Sequence, residues 1–297
     1  MQRRQFTGAL GAIMAGTGFS AYAQKSLGSS SGDGGAVTAR LKALERESGG
    51  RLGVSVFDTA TGARWGYRAG ERFPMCSTFK LLAAALVLHR VDKGQEQLAR
   101  KVIVKPTDII THSPTTSQYV GTQGITIAQL CEATVTLSDN AAGNLLLESF
   151  GGPQGLTAYT RSLGDTMTRL DRNEPSLNEA TPGDKRDTTT PDAMVANIQK
   201  IALGTALSEA SRKQMTQWLL DNKTGDKRLR ALLPNGWRVG DKTGTGGRGS
   251  TNDVGILWPP GRAPIVVAAY LTETSRPAEQ REAVLAKTGA LAASLII

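Results

Sequence analysis

Ser77 and Lys80 stand three residues apart in the run Ser77-Thr78-Phe79-Lys80. On a helix that spacing puts a hydroxyl and an amine on one face. A serine hydroxyl is a poor nucleophile until a neighbouring base takes its proton. A helix start would also turn backbone N–H groups and the positive dipole end toward Ser77. Lys80 lies in an otherwise apolar stretch, where desolvation favours the neutral amine and nearby acids oppose it. Ser138-Asp139-Asn140 adds a hydroxyl that can relay a proton to a departing nitrogen, and an amide that can bind a carbonyl. Glu174-Pro175-Ser176-Leu177-Asn178 sets a carboxylate and an amide four residues apart, able to hold one water between them. Lys242-Thr243-Gly244, continued by Thr245, offers an ammonium and hydroxyls for a carboxylate, beside glycines that permit close approach. The set suits acyl transfer to a serine followed by hydrolysis.

Each word alone has a plainer reading. A Ser/Lys pair at this spacing arises by chance in a chain of ordinary composition. Ser138-Asp139-Asn140 also reads as a helix-breaking turn, and Glu174–Asn178 as part of a surface loop. Lys-Thr-Gly occurs three times. The copies at Lys223 and Lys287 read as accidents, one in a polar turn and one in the last helix; only Lys242 ends a strand pattern. The chain has two histidines, which disfavours a Ser-His-Asp triad. His89 reads as structural, and His112, before Ser113-Pro114, is not read as a catalyst. No Cys/His cluster has metal-ligand spacing, so neither metal nor cofactor is expected.

The elements that must position these groups follow from periodicity. Val37, Leu41 and Leu44 predict a helix from Ala36 to about Ser48, closed by Gly49-Gly50. Leu52–Asp58, a turn at 59–62 and Arg64–Tyr67 predict a β-hairpin. Ser77 to about Val91 is apolar on nearly every side, the pattern of a buried helix. Helical spacing recurs from about Ile127 to Phe150, broken near Ser138-Asp139. Arg169–Pro191 holds no helix pattern, and a loop of that length is functional or disordered. Further helices are expected near Pro191–Leu203 and Ser208–Asp221. Three strands, Trp237–Thr243, Asp253–Trp258 and Pro264–Thr272, precede a last helix over about Ala278–Leu295. The fold class is α/β (α+β), in two lobes: terminal strands in one antiparallel sheet flanked by helices (about 36–70 and 222–297), and an all-helical lobe (about 71–221). The cleft between lobes is the expected site.

In this order and at these separations, the four words resemble the class A serine β-lactamases. The resemblance runs from about Ala36 to the C-terminus. It implies a single five-stranded, penicillin-binding-like domain, Ser77 as nucleophile, and the N–H groups of Ser77 and Thr245 as an oxyanion hole. Ser138 would pass a proton to the ring nitrogen. Lys242, Thr243, Gly244 and Thr245 would hold the substrate carboxylate, Asn140 the acylamide, and Glu174 with Asn178 the deacylating water. Whether Lys80 or Glu174 takes the Ser77 proton stays open. Many relatives carry an arginine where this chain has Thr251; Arg228 fits the alternative source of that charge. Arg172 and Asp187 match residues that pair across the loop base, and His112 the position where relatives often place an aromatic at the cleft rim, which implies a rim contact with substrate. Relatives bridge cysteines matching Cys131 and Cys76 to positions that here are Ala84 and Gly246, so two free, buried thiols are expected. The implied partner is a β-lactam antibiotic, and the implied protein a monomer. A D-Ala-D-Ala carboxypeptidase or a non-hydrolysing β-lactam sensor are the alternatives; the first normally lacks the Glu174/Asn178 arrangement, and the second carries a membrane anchor.

The chain has 297 residues, 39% of them hydrophobic, and a net charge of +9, enough for one large soluble domain. Its basic residues are dispersed and not interleaved with aromatics, which argues against a nucleic-acid partner. Arg3-Arg4, an apolar stretch to about Phe19 and Ala21-Tyr22-Ala23 read as an export signal over 1–23, with a twin-arginine character. The stretch is too short to anchor in a bilayer. Removing the two arginines with it leaves +7. Residues 24–35, rich in Ser and Gly, read as a flexible linker, and the mature protein as periplasmic or secreted.

Overall fold

The computed structural model describes residues 31–296. The expected export signal lies outside them. Helix α1 (Ser31–Ser48) leads into the hairpin of β1 (Arg51–Asp58) and β2 (Arg64–Tyr67). Of the expected linker, residues 24–30 lie outside the described residues, and 31–35 are helical: α1 begins at Ser31, six residues before Val37, the first apolar residue of its packed face. β3 (Phe73–Pro74) and a 3-10 turn at Cys76–Thr78 precede α2 (Phe79–Asp92). Ser77 therefore lies in that tighter turn, one residue short of the α-helix proper.

Strands β4 (Lys101–Val102) and β5 (Ile125–Thr126) form a small ladder, followed by α3 (Ile127–Thr136), α4 (Asn140–Ser149) and α5 (Gly152–Ser162). Thr126 and Gln129 close a reciprocal capping box on α3, and Asp139 caps α4 by accepting from Ala142 N at 2.9 Å. These caps explain the break at Ser138-Asp139. Helix α5 was not expected. Its Gly-Pro-Gln-Gly start hides it, but Pro153 suits a first helical turn and Leu156 and Tyr159 bury against the core.

The loop from 163 ends in β6 (Thr188–Thr189), which pairs with β3. α6 (Pro191–Ile198) widens into a π-helical stretch at Gln199–Leu203 before α7 (Glu209–Leu220). β7 (Arg238–Thr245), β8 (Thr251–Trp258), β9 (Ile265–Thr272) and α8 (Ala278–Ser294) complete the chain.

The main sheet has the order β2-β1-β9-β8-β7, with every neighbouring pair antiparallel. Its core divides by the period-2 rule. Ile265, Val267, Ala269 and Leu271 of β9 pack with Val37 and Leu41 of α1 and Val284 and Leu285 of α8. Val266, Ala268 and Tyr270 face the opposite cluster, which holds α2 to α7. Every residue of α2 from Phe79 to Leu88 is buried. That all-round burial fixes the one lysine in its first turn.

Candidate active site

Lys80 is fully buried within an apolar helix, and its ammonium gathers every acceptor nearby. Nζ donates to Ser77 Oγ at 3.1 Å, Ser138 O at 2.8 Å and Asn140 Oδ1 at 2.5 Å. It also forms an ion pair with Glu174 Oε1 at 3.0 Å, both side chains being completely shielded. Burial pushes the Lys80 pKa down, and the Glu174 charge opposes that shift. Ser77 Oγ accepts from Lys80 and donates to Glu174 Oε1 at 3.4 Å. The nucleophile thus touches both candidate bases.

Ser138 has a left-handed backbone, with φ of 59°, a conformation unusual for a non-glycine residue. It sets Oγ 3.1 Å from Lys242 Nζ and 3.5 Å from Lys80 Nζ. The hydroxyl therefore sits between two amines. Lys242 is fully buried; desolvation drives its pKa well down, and the positive charges of Lys80 and Arg228 add to the effect. An arriving carboxylate would supply the missing counter-charge.

Glu174 is 4% exposed and faces inward. Asn178 Nδ2 donates to Glu174 Oε2. Among the described residues, no donor reaches the buried Asn178 Oδ1. The loop is held at its base by Asp187, whose Oδ1 accepts from the N–H groups of Asp171 and Arg172, and whose Oδ2 accepts from Arg172 Nε at 2.6 Å. The β3–β6 ladder and Met75 N donating to Asp187 O tie this base to the segment carrying Ser77.

β7 is the free edge of the sheet and runs past the Cys76–Thr78 turn. Gly244 makes the approach possible: a Cβ there would lie 2.8 Å from Met75 O. Gly246 is closed in the same way, with a would-be Cβ 2.6 Å from Cys76 Sγ and 2.8 Å from Asn178 O. Gly247 N donates to Asn178 O at 2.7 Å, closing β7 onto the Glu174 loop. Cys76 and Cys131 are free and buried, as expected. Burial and the nearby Glu174 push the Cys76 thiol up to about 12, so it stays protonated beside the nucleophile.

Arg228 lies behind Thr245. Its guanidinium donates to Gly244 O and Asn252 O, both at 2.9 Å, and to Thr245 Oγ1 at 2.8 Å. Asn140 spends both ends of its amide within the protein, accepting from Lys80 and donating to Thr111 O at 2.8 Å. His112 is exposed beside this turn, and its Nε2 meets Leu137 O at 2.9 Å. Ser77, Lys80, Ser138, Asn140, Glu174, Asn178 and Lys242 therefore form one connected cluster of side chains, with Arg228 behind Thr245 and His112 outside the cluster.

Asn144 and Thr224 of this neighbourhood were not picked out from the sequence, and Asp139 was named within its motif without a task of its own. Asn144 clamps the backbone of Glu174 from both sides, accepting from Glu174 N and donating to Glu174 O, each at 2.9 Å. Its signal was the four-residue step from Asn140, which puts both amides on one face of α4. Asp139 accepts from Thr115 N, Thr116 N and Thr116 Oγ1, each at 2.9 Å, and so fixes the segment carrying His112. Thr224 lies 2.5 Å from Thr243, oxygen to oxygen. The Lys-Thr-Gly copy at Lys223, read as an accident, thus contributes its threonine to the site wall.

Among the described residues, no group of three metal-ligating side chains could hold an ion, and no helix is long and apolar enough to cross a membrane.

Residues 36–295 match the model of the beta-lactamase enzyme family. Beta-lactamase CTX-M-8 of Citrobacter amalonaticus is 49% identical over 251 residues, covering 84% of this chain and 86% of that protein. Beta-lactamase L2 of Stenotrophomonas maltophilia is 49% identical over 255 residues, covering 86% and 84%. The solved structure of an ancestral class A beta-lactamase superposes with a TM-score of 0.86 at 60% identity, covering 88% of this chain and all of that one.

Proposed function

We propose a serine acyl-enzyme mechanism for this chain, which belongs to the class A β-lactamase family, hydrolyses β-lactams and so confers resistance to them. The observation that carries the mechanism is the placing of Ser77 Oγ between Lys80 Nζ and Glu174 Oε1.

In the charged pair, Lys80 cannot accept a proton and Glu174 is the base. Moving one proton from Lys80 to Glu174 yields a neutral amine that can accept it, and burial lowers the cost of that move. Ser77 Oγ then bonds to the lactam carbonyl carbon. N–H groups of Ser77 and Thr245 stabilise the oxyanion, each worth about 3 kcal/mol. The C–N bond breaks as the proton taken from Ser77 is relayed through Lys80 and Ser138 to the ring nitrogen, which leaves Ser138 protonated and Glu174 a carboxylate again. Lys242, Thr243, Thr245 and Arg228 hold the substrate carboxylate, with Gly244 keeping the strand edge close. Asn140 and His112 border the acylamide side. A water on Glu174 and the open Asn178 Oδ1 attacks the ester, Glu174 takes its proton, and Ser77 is released protonated.

A chromogenic cephalosporin mixed with the mature protein tests this reading. Sustained turnover with a transient mass adduct on the Ser77 peptide is expected. A single stoichiometric burst would instead match a peptidase or a sensor. Arg228→Ala should raise KM for penicillins about tenfold with a smaller change in kcat, the cost of one charge-assisted contact. An unaltered KM would remove Arg228 from the carboxylate site.

Arg3-Arg4, the apolar stretch and Ala21-Tyr22-Ala23 direct the protein to the periplasm through the twin-arginine route. A mature chain beginning at Gln24 is expected by N-terminal sequencing; a retained Met1 in the periplasmic fraction would contradict it. The protein acts as a monomer of one domain, 36–297, with the sheet and its terminal helices as one lobe and 71–221 as the other.

A further inference from the structure

We propose that the cleft behind the Glu174 loop binds a small, multiply charged oxyanion, a phosphate or a di- or tricarboxylate. The cleft lies between the returning limb of the loop, residues 180–186, and the body of the protein at Arg51, the first residue of β1, and Arg72, just before β3. Its volume is about 180 Å³. That is room for about six water molecules, and less than the roughly 300 Å³ a drug-sized ligand needs.

The lining is strongly cationic. Arg51, Arg72, Arg172, Lys185 and Arg186 face only Asp184 and Glu273. Three of the arginines are already matched: Arg51 with Glu273 at 3.0 Å and Glu71 at 3.4 Å, Arg172 with Asp187 at 2.6 Å and Glu179 at 2.5 Å, and Arg186 with Asp184 at 2.7 Å. Arg72 and Lys185 have no carboxylate within 4.0 Å among the described residues. They are the two lining cations left to a ligand, and unpaired charge in a concave wall concentrates counter-ions.

The two sheet-side guanidiniums are fixed before any ligand arrives. Arg72 Nη1 donates to Met167 O at 2.7 Å and to Thr188 Oγ1 at 3.0 Å. Arg51 Nη2 donates to Arg72 O at 2.9 Å, and its guanidinium lies 4.0 Å from the centroid of the Phe73 ring. Their ordering cost is met by the fold, which leaves more of the contact energy for binding. Planar guanidinium forks match carboxylate and phosphate oxygens. An oxyanion seated here bridges Arg72, just before β3, to Lys185 and Arg186 on the loop, with Arg51 adding its charge from the start of β1. It would hold the loop that carries Glu174 against the body of the protein. This inference does not rest on the acyl-enzyme mechanism.

Thermal unfolding of the mature protein, titrated with inorganic phosphate and separately with citrate, tests it against sodium chloride at matched ionic strength. A saturable rise in Tm with either oxyanion, absent in chloride, is expected. Hydrogen exchange at residues 180–186 should slow in parallel. Arg72→Gln should weaken the fitted affinity about tenfold or more, the loss of a charge-assisted bond. Arg72 also braces the loop, so the exposed rim variant Lys185→Gln provides a second reading. It should weaken affinity about two- to fivefold while leaving cephalosporin turnover unchanged. No Tm rise, an equal rise in chloride, or wild-type affinity in both variants overturns the proposal.

Discussion

Ser77→Ala should reduce kcat for β-lactam hydrolysis on the order of 10⁵- to 10⁶-fold, the cost of deleting a serine nucleophile in other hydrolases. The change removes one oxygen and leaves the Cβ. Lys80 and Glu174 keep their 3.0 Å ion pair, and Ser138 keeps its place between two lysines. The fold and the carboxylate pocket therefore survive. Penicillin should still bind, because Lys242 and Arg228 are untouched, but no covalent adduct can form. Intact-protein mass spectrometry and initial rates provide the check. Residual turnover within tenfold of wild type would mean that another group attacks the ring.

Glu174→Ala should separate the two half-reactions. Deacylation depends on a base holding a water, and losing a positioned general base costs about 10²- to 10⁴-fold. Acylation keeps a second base, since Lys80 Nζ remains 3.1 Å from Ser77 Oγ. Removing the carboxylate also removes the charge that opposes the downward shift of Lys80, so the neutral amine gains population. The expected result with a penicillin is one rapid equivalent followed by near-arrest, with the antibiotic's mass on Ser77. Multiple turnover at the original rate would exclude Glu174 as the deacylating base. A parallel loss of the burst would show that Glu174 also drives acylation.

The two predictions differ in what they ask of the sequence. Ser77, Lys80, Ser138, Glu174 and Lys242 were legible because each sits in a short word whose residue types suit one chemistry. The strands were legible because β9 alternates between two cores and its neighbours repeat the pattern. α2 was legible because an all-apolar run has nowhere to go but inside. α5 was not, because Leu156 and Tyr159 among glycines and polar residues make a weak stripe. Its helix is specified by the neighbours it covers.

Asn144, Asp139 and Thr224 mark the limit more sharply. Each is an ordinary polar residue, and each gains a task from a partner distant in sequence: Asn144 from Glu174, thirty positions on, and Thr224 from Thr243, nineteen on. A side-chain hydrogen bond is specified by position in space, and periodicity carries no record of it.

By itself the sequence determined the chemical inventory and the order of the main-sheet strands and of every long helix but α5, because residue type and local repeat are properties of neighbours along the chain. Only the tertiary structure decided which hydroxyl meets which amine and how closely the β7 edge passes Cys76. It also decided that, of the arginines lining the cleft behind the loop, Arg72 is the one without a carboxylate among the described residues. Those are distances between segments, set when β3 pairs with β6 and the glycines of β7 let two backbones touch.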